Sequence, residues 1–185
     1  LEAPPGAGKS TRVPVALDDA GFGPLVMLEP RRIAARALAA RMADERGERV
    51  GASVGYQVRF DKKASKDTRV MVVTEGILTR RLLSDPLLEG TEVVVLDELH
   101  ERSIHTDLCL AFCKQLLEVR DDFKVVAMSA TLDAQQVADY LGDARVVSSA
   151  GRPFEVTLEH QRPEHDEPLE IQVRLDRPGV VGHVE

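Results

Sequence analysis

The chain has 185 residues, 43% of them hydrophobic and 30% charged, with a formal net charge of −7. That length holds one substantial core and the beginning of a second unit, and the composition excludes disordered and low-complexity classes. The acidic balance excludes a protein that grips polyanions by bulk positive charge, and no run approaches a membrane helix or a secretory leader, so a cytoplasmic protein without membrane partners is expected.

Near the start, Ala3–Thr11 reads APPGAGKST. Small residues at Pro5, Gly6, Ala7 and Gly8 let backbone N–H groups turn inward around phosphate oxygens, and the helix that follows adds its positive N-terminal end. In such a loop Lys9 reaches the β and γ phosphates of ATP, the Ser10 hydroxyl binds Mg2+, and Thr11 stands beside them. Ala3 replaces the first glycine of the common pattern. The bland alternative is a proline- and glycine-rich turn capped by Ser10.

Beyond the loop, short apolar runs alternate with helix-patterned segments. Leu25 to Glu29, Arg69 to Thr74, Glu92 to Asp97 and Lys124 to Ser129 read as strands buried on both faces. Between and after them, Arg31 to Arg46, Glu75 to Leu83, Thr106 to Arg120 and Asp133 to Leu141 read as helices, the last opened by a capping-box pattern of Asp133 with Gln136. This alternation predicts an α/β fold with a mainly parallel sheet covered on both sides, and ligands beyond the carboxyl ends of its strands. From Gly151 the pattern changes: FEVTLEH and LEIQVRL alternate like half-exposed strands around a charged, proline-containing stretch. Residues 1–150 are therefore expected to form one lobe, and 151–185 a linker with two strands that begins a second.

The strand VVVLD ends in Asp97 and Glu98, an expensive place for adjacent carboxylates unless a cation or a reaction uses them. Asp97 would hold Mg2+ and Glu98 would polarise an attacking water; a strand that merely ends in a polar turn is the alternative. Another strand ends in MSATLD, whose Ser129 and Thr131 hydroxyls can reach across the loops to the acids. His105 reads as structural. Cys109 and Cys113, four apart on one helix face, read as buried reduced thiols rather than metal ligands. The arginines at 31, 32, 36, 41, 80 and 81 taken alone read as solvated helix faces.

Together APPGAGKST, EPRRIAAR, VGYQVRF, VTEGILTR, LDELHERS and SATLD resemble the motifs of the DEAH/RHA helicases of superfamily 2, with wording especially like the HrpB-like branch. The resemblance runs from Leu1 to about Phe154. It implies a RecA-like P-loop NTPase lobe of an ATP-dependent RNA helicase, using ATP and Mg2+ and moving 3′ to 5′ on single-stranded nucleic acid, RNA more readily than DNA. It implies that His100 with Ser129 and Thr131 couples nucleotide state to a second RecA-like lobe. It further implies that Arg41 stacks on the nucleotide base, and that Arg31, Arg32, Thr74, Glu75 and Gly76 touch the nucleic-acid backbone. Leu99 replaces the alanine or phenylalanine common in relatives, with the acids and His100 intact.

The family's QRxGRxGR segment, which supplies arginine fingers and a water-positioning glutamine, has no match here; Gln161 and Arg162 are followed by Pro163 and Glu164. Most of the strand expected before the P-loop is also missing, which predicts a fragment with a disturbed sheet centre and weak or no turnover on its own. Two readings from other classes stay open: a P-loop ATPase that does not act on nucleic acid, and a non-catalytic regulatory module.

Overall fold

A computed structural model describes residues 1–4, 6–130, 134–142 and 144–149, with the backbone of 156–158 and 173–175. The chain divides into two units, Leu1–Ala150 and Gly151–Glu185. In the first, α1 spans Lys9–Asp19, β1 Leu25–Leu28, α2 Arg32–Glu45, β2 Val54–Val58, β3 Asp61–Lys63, β4 Val70–Val73 and α3 Glu75–Ser84. They are followed by β5 Val93–Leu96, a 3-10 turn Leu99–Glu101, α4 Ile104–Val119, β6 Lys124–Ala127 and α5 Ala134–Tyr140. The second unit contains β7 Val156–Leu158 paired antiparallel with β8 Val173–Leu175.

The sheet runs β3-β2-β4-β1-β5-β6 and is parallel except at β3. Period-two alternation of apolar residues fills both of its faces. Leu25 and Met27 of β1 join Ala35, Ala39 and Met42 of α2, while Val26 and Leu28 join Leu78 of α3 and Cys109 and Cys113 of α4. Each such fully buried Leu, Val or Met stabilises the fold by roughly 1.5–3 kcal/mol relative to exposure. Both cysteines are free thiols, and burial pushes Cys109 up to about 11. No described helix is long and apolar enough to cross a membrane.

The expected strands and helices appear with ends shifted by a few residues, as helix and strand termini do. Three features depart from expectation. The hairpin β2–β3 was not anticipated, because Gly55 interrupts an otherwise apolar run and DKK carries no strand pattern. Gly55 is required there: a Cβ would meet the Lys63 carbonyl oxygen at 2.5 Å. The sheet centre is regular, with β1 held in register by β4 and β5, rather than disturbed. Finally, β6 is not buried on both faces. Lys124 is exposed and Val125, Val126 and Ala127 are half-buried, because among the described residues the neighbour beyond β6 is only the short bridge from Glu2 to Ser129 and Ser148. An apolar groove of about 320 Å³ lies beside it, bordered by Leu1, Val13, Leu17, Val126 and Val137. The expected capping box of Asp133 lies outside the described residues.

Because five strands run the same way, the residues after β1, β4, β5 and β6 emerge along one edge. Glu29, Thr74, Asp97 and Met128 follow those strands directly.

Candidate functional site

The loop before α1 ends at Gly8, whose φ of 77° is left-handed, a conformation that a side chain opposes. That turn lets the backbone swing into α1 directly, with Arg12 N–H donating to the Gly8 carbonyl at 3.0 Å. Lys9, first in the helix, is only 8% exposed, and its Nζ lies 3.8 Å from Glu98 Oε1. The Thr11 hydroxyl donates to the Gly8 carbonyl at 3.2 Å and so braces the turn. Gly6 and Ala7 are exposed, and Pro5 lies outside the described residues.

Asp97 is fully buried at the tip of β5, where its N–H donates to the Leu28 carbonyl. Its Oδ1 accepts from the Glu98 N–H at 2.9 Å, whereas Oδ2 is buried without a hydrogen-bond partner. Desolvation raises the Asp97 carboxyl above its ordinary range, and the Ser10 hydroxyl, the Glu98 N–H and Lys9 work against that shift. A buried, unpartnered carboxylate oxygen next to a serine hydroxyl fits a hard divalent cation such as Mg2+, which takes oxygen ligands.

Glu98 adopts φ 53° and ψ 38°, the left-handed region, and starts the 3-10 turn. Its carboxylate faces Lys9 with one oxygen and His100 Nδ1, at 3.3 Å, with the other. The Ser129 hydroxyl lies 3.5 Å from the same His100 nitrogen. Ser129 N–H donates to the Leu1 carbonyl and Ala3 N–H to the Ser129 carbonyl, so the end of β6 is laced to the segment that enters the phosphate loop. Lys9, Ser10, Asp97, Glu98, His100 and Ser129 are thus brought together; Thr131 lies outside the described residues.

Sequence reading missed Glu29, although the signal was the same as at Asp97: a buried strand ending in an acid. It is 4% exposed, and burial raises its carboxyl to about 7; the Arg31 N–H bond and the Arg31 charge oppose this, and Asp97 and Glu98 add to it. Its Oε1 accepts from Arg31 N–H at 3.1 Å.

The second constellation lies along the same edge. Thr74 and Gly76 line a cleft of about 750 Å³ with Gln57, Arg59, Phe60 and Arg80. Arg59 and Phe60 form the turn of the β2–β3 hairpin, with the Arg59 guanidinium 4.7 Å from the Phe60 ring and Phe60 90% exposed. Arg32 reaches the Arg59 carbonyl at 3.1 Å, and Arg31 pairs with Glu101. Glu75 is placed differently from its neighbours. Its carboxylate turns inward and accepts from Ser103 Oγ at 2.6 Å and Thr106 Oγ1 at 2.5 Å, which ties α3 to the start of α4. A carboxylate so held cannot offer a donor to phosphate, so only the Glu75 backbone is available for the contact expected of it. Arg41 is exposed on α2 and pairs with Glu45 at 2.7 Å.

Residues 1–140 match the family model described as "DEAD/DEAH box helicase". The chain is 47% identical over 159 residues to "ATP-dependent RNA helicase HrpB" of Escherichia coli K12, a match that covers 84% of this chain and 20% of that protein. It is 41% identical over 171 residues to human "Probable ATP-dependent RNA helicase DHX34", covering 92% of this chain and 15% of the relative. Among solved structures, the "Crystal structure of Escherichia coli DEAH/RHA helicase HrpB" aligns with a TM-score of 0.78 at 42% identity, over 91% of this chain and 22% of that one. The chain thus spans about a fifth of the length of these relatives, and the matched part is a RecA-like lobe. The chain belongs to the DEAD/DEAH box helicase family.

Proposed function

We propose that this chain is the nucleotide-binding first lobe of an ATP-dependent RNA helicase. The observation that carries the reading is the meeting of Lys9, Ser10 and the buried, half-satisfied Asp97 beside Glu98, on the same sheet edge as a separate arginine-lined cleft.

In the loop Pro5-Gly6-Ala7-Gly8 the backbone N–H groups of Gly6, Ala7 and Gly8 cradle the phosphates, and Lys9 neutralises their charge at the start of α1. Ser10 and Asp97 would hold Mg2+, which would supply positive charge against the phosphate oxygens. Glu98 orients the attacking water and accepts its proton, with its second oxygen kept in place by His100. His100, Ser129 and Thr131 pass the state of that acid to the second RecA-like lobe. Arg41 packs on the nucleotide base. Arg31, Arg32, Thr74, Gly76 and the Glu75 backbone hold the sugar-phosphate chain of a single strand. Arg59 and Arg80 add positive charge to the same cleft. None of these groups reads bases, so sequence-tolerant binding follows.

The test is ATPase activity with and without single-stranded RNA, on this chain and on one extended through the second lobe. Arginine fingers contribute about 10³–10⁵ in rate where measured, so the extended chain should be faster by orders of magnitude and stimulated by RNA. Full RNA-stimulated turnover by the 185-residue chain, lost in Glu98→Gln, would refute the need for a second lobe. Failure of either chain to bind RNA would favour an ATPase that does not act on nucleic acid.

A further inference from the structure

Arg31 stands between two carboxylates that belong to the nucleotide side of the lobe. Its backbone N–H is held by Glu29, and its guanidinium by Oε1 of Glu101. The arginine side chain is 70% exposed and the glutamate 29%. Glu101 closes the 3-10 turn that Glu98 opens, with its N–H donating to the Glu98 carbonyl at 2.9 Å. Ligand atoms of Glu98, His100 and Glu101 all lie within 4.8 Å of one another. The guanidinium therefore engages an acid that neighbours the water-orienting Glu98.

A carboxylate and a phosphodiester present the same thing to an arginine: two oxygens sharing a negative charge, matched to the guanidinium fork. We propose that Glu101 is an internal stand-in for a backbone phosphate, occupying Arg31 in the free lobe, and that a single strand binds by taking its place. This rests on the reading that nucleic acid runs past Arg31. An exposed pair of this kind contributes about 0–1 kcal/mol, so Glu101 is a weak competitor that lowers affinity modestly and gives way readily.

The experiment is a double-mutant cycle read by anisotropy of a short fluorescein-labelled oligouridine, with the chain itself, Glu101→Gln, Arg31→Ala and the double variant. Glu101→Gln should tighten binding about three- to fivefold, the size of a released surface pair. Arg31→Ala should weaken binding and reduce the slope of log affinity against log salt by about one. In the Arg31→Ala background the Glu101→Gln gain should vanish. A Glu101→Gln variant that binds no better, or gains equally without Arg31, overturns the inference while leaving RNA binding standing. Absence of RNA binding by all four, with nucleotide binding intact, overturns the parent reading and this inference with it. Should Glu101→Gln melt below the assay temperature, Glu101→Asp keeps the charge but draws it back from Arg31; it should show a smaller gain of the same sign, and no gain counts against the proposal.

Discussion

The phosphate loop with its acids and the arginine-lined cleft share one edge of the sheet but are built in opposite ways. In the first, Lys9 and Asp97 are almost wholly buried, and one carboxylate oxygen has no partner. In the second, Arg31 and Arg32 are exposed and each has an internal partner: Arg31 has Glu101 and Arg32 the Arg59 carbonyl. A buried site cannot satisfy itself without its ligand, whereas an exposed one can. The two should therefore respond differently to the same kind of substitution.

Removing a buried charge gives the largest effect. Lys9→Ala should weaken nucleotide binding by about 10²-fold, near 2.7 kcal/mol, because it strips a desolvated cation from a polyanion; titration of a fluorescent ATP analogue measures it, and a loss below threefold would make this site no different from the exposed one. Arg32→Ala should cost RNA affinity only about three- to tenfold and flatten its salt dependence by about one ion. An equal loss of nucleotide affinity in that variant would merge the two regions into one.

Glu29 tests the boundary between them. Its carboxyl is raised to about 7 in the folded lobe, against an ordinary 4.5, with Asp97, Glu98 and Arg31 facing it. The folded state then binds more proton than the unfolded one between those values. Its contribution is fully present below pH 4.5 and fades as pH rises through 7. Going from pH 8 to pH 6 without nucleotide should add about 1 kcal/mol, or about 2–4 °C in Tm. Glu29→Gln should remove that component, and a melting profile identical to the parent's would show that the carboxyl titrates normally. The smallest effect belongs to the Arg41–Glu45 pair. Glu45→Gln should change stability by less than about 0.5 kcal/mol, since the pair it breaks is exposed. Arg41→Ala should still weaken nucleotide binding several-fold if the guanidinium covers the base, by about 1 kcal/mol.

The same contrast explains what could be read without coordinates. The parallel strands, and the meeting of Lys9, Ser10, Asp97, Glu98 and Ser129 at their ends, were legible because backbone pattern alone dictates where the tip of a buried strand goes. An acid at such a tip is costly enough to stand out, and Glu29 carries that signal with Leu28 and Pro30 rather than a second acid beside it. The placement of Arg59 and Phe60 at the cleft and the pairing of Glu101 with Arg31 were not legible, although all three lie within motifs that carry the family resemblance. Their positions depend on a hairpin with a two-residue polar-aromatic turn and on a pairing across 70 residues, neither of which leaves a local periodicity. The inward turn of Glu75 was hidden for a similar reason, since its hydroxyl partners lie 28 and 31 residues away. β6 reads as an interior strand from composition; its half-exposure follows from which neighbour it meets, and that is not written in β6 itself.

The backbone at Glu98 sets a cost on where the acid can stand. A non-glycine residue at φ 53° occupies a region that costs of the order of 1–3 kcal/mol. Glycine would take that conformation freely but carries no carboxylate, so the turn keeps a strained backbone at the residue that faces Lys9 and His100.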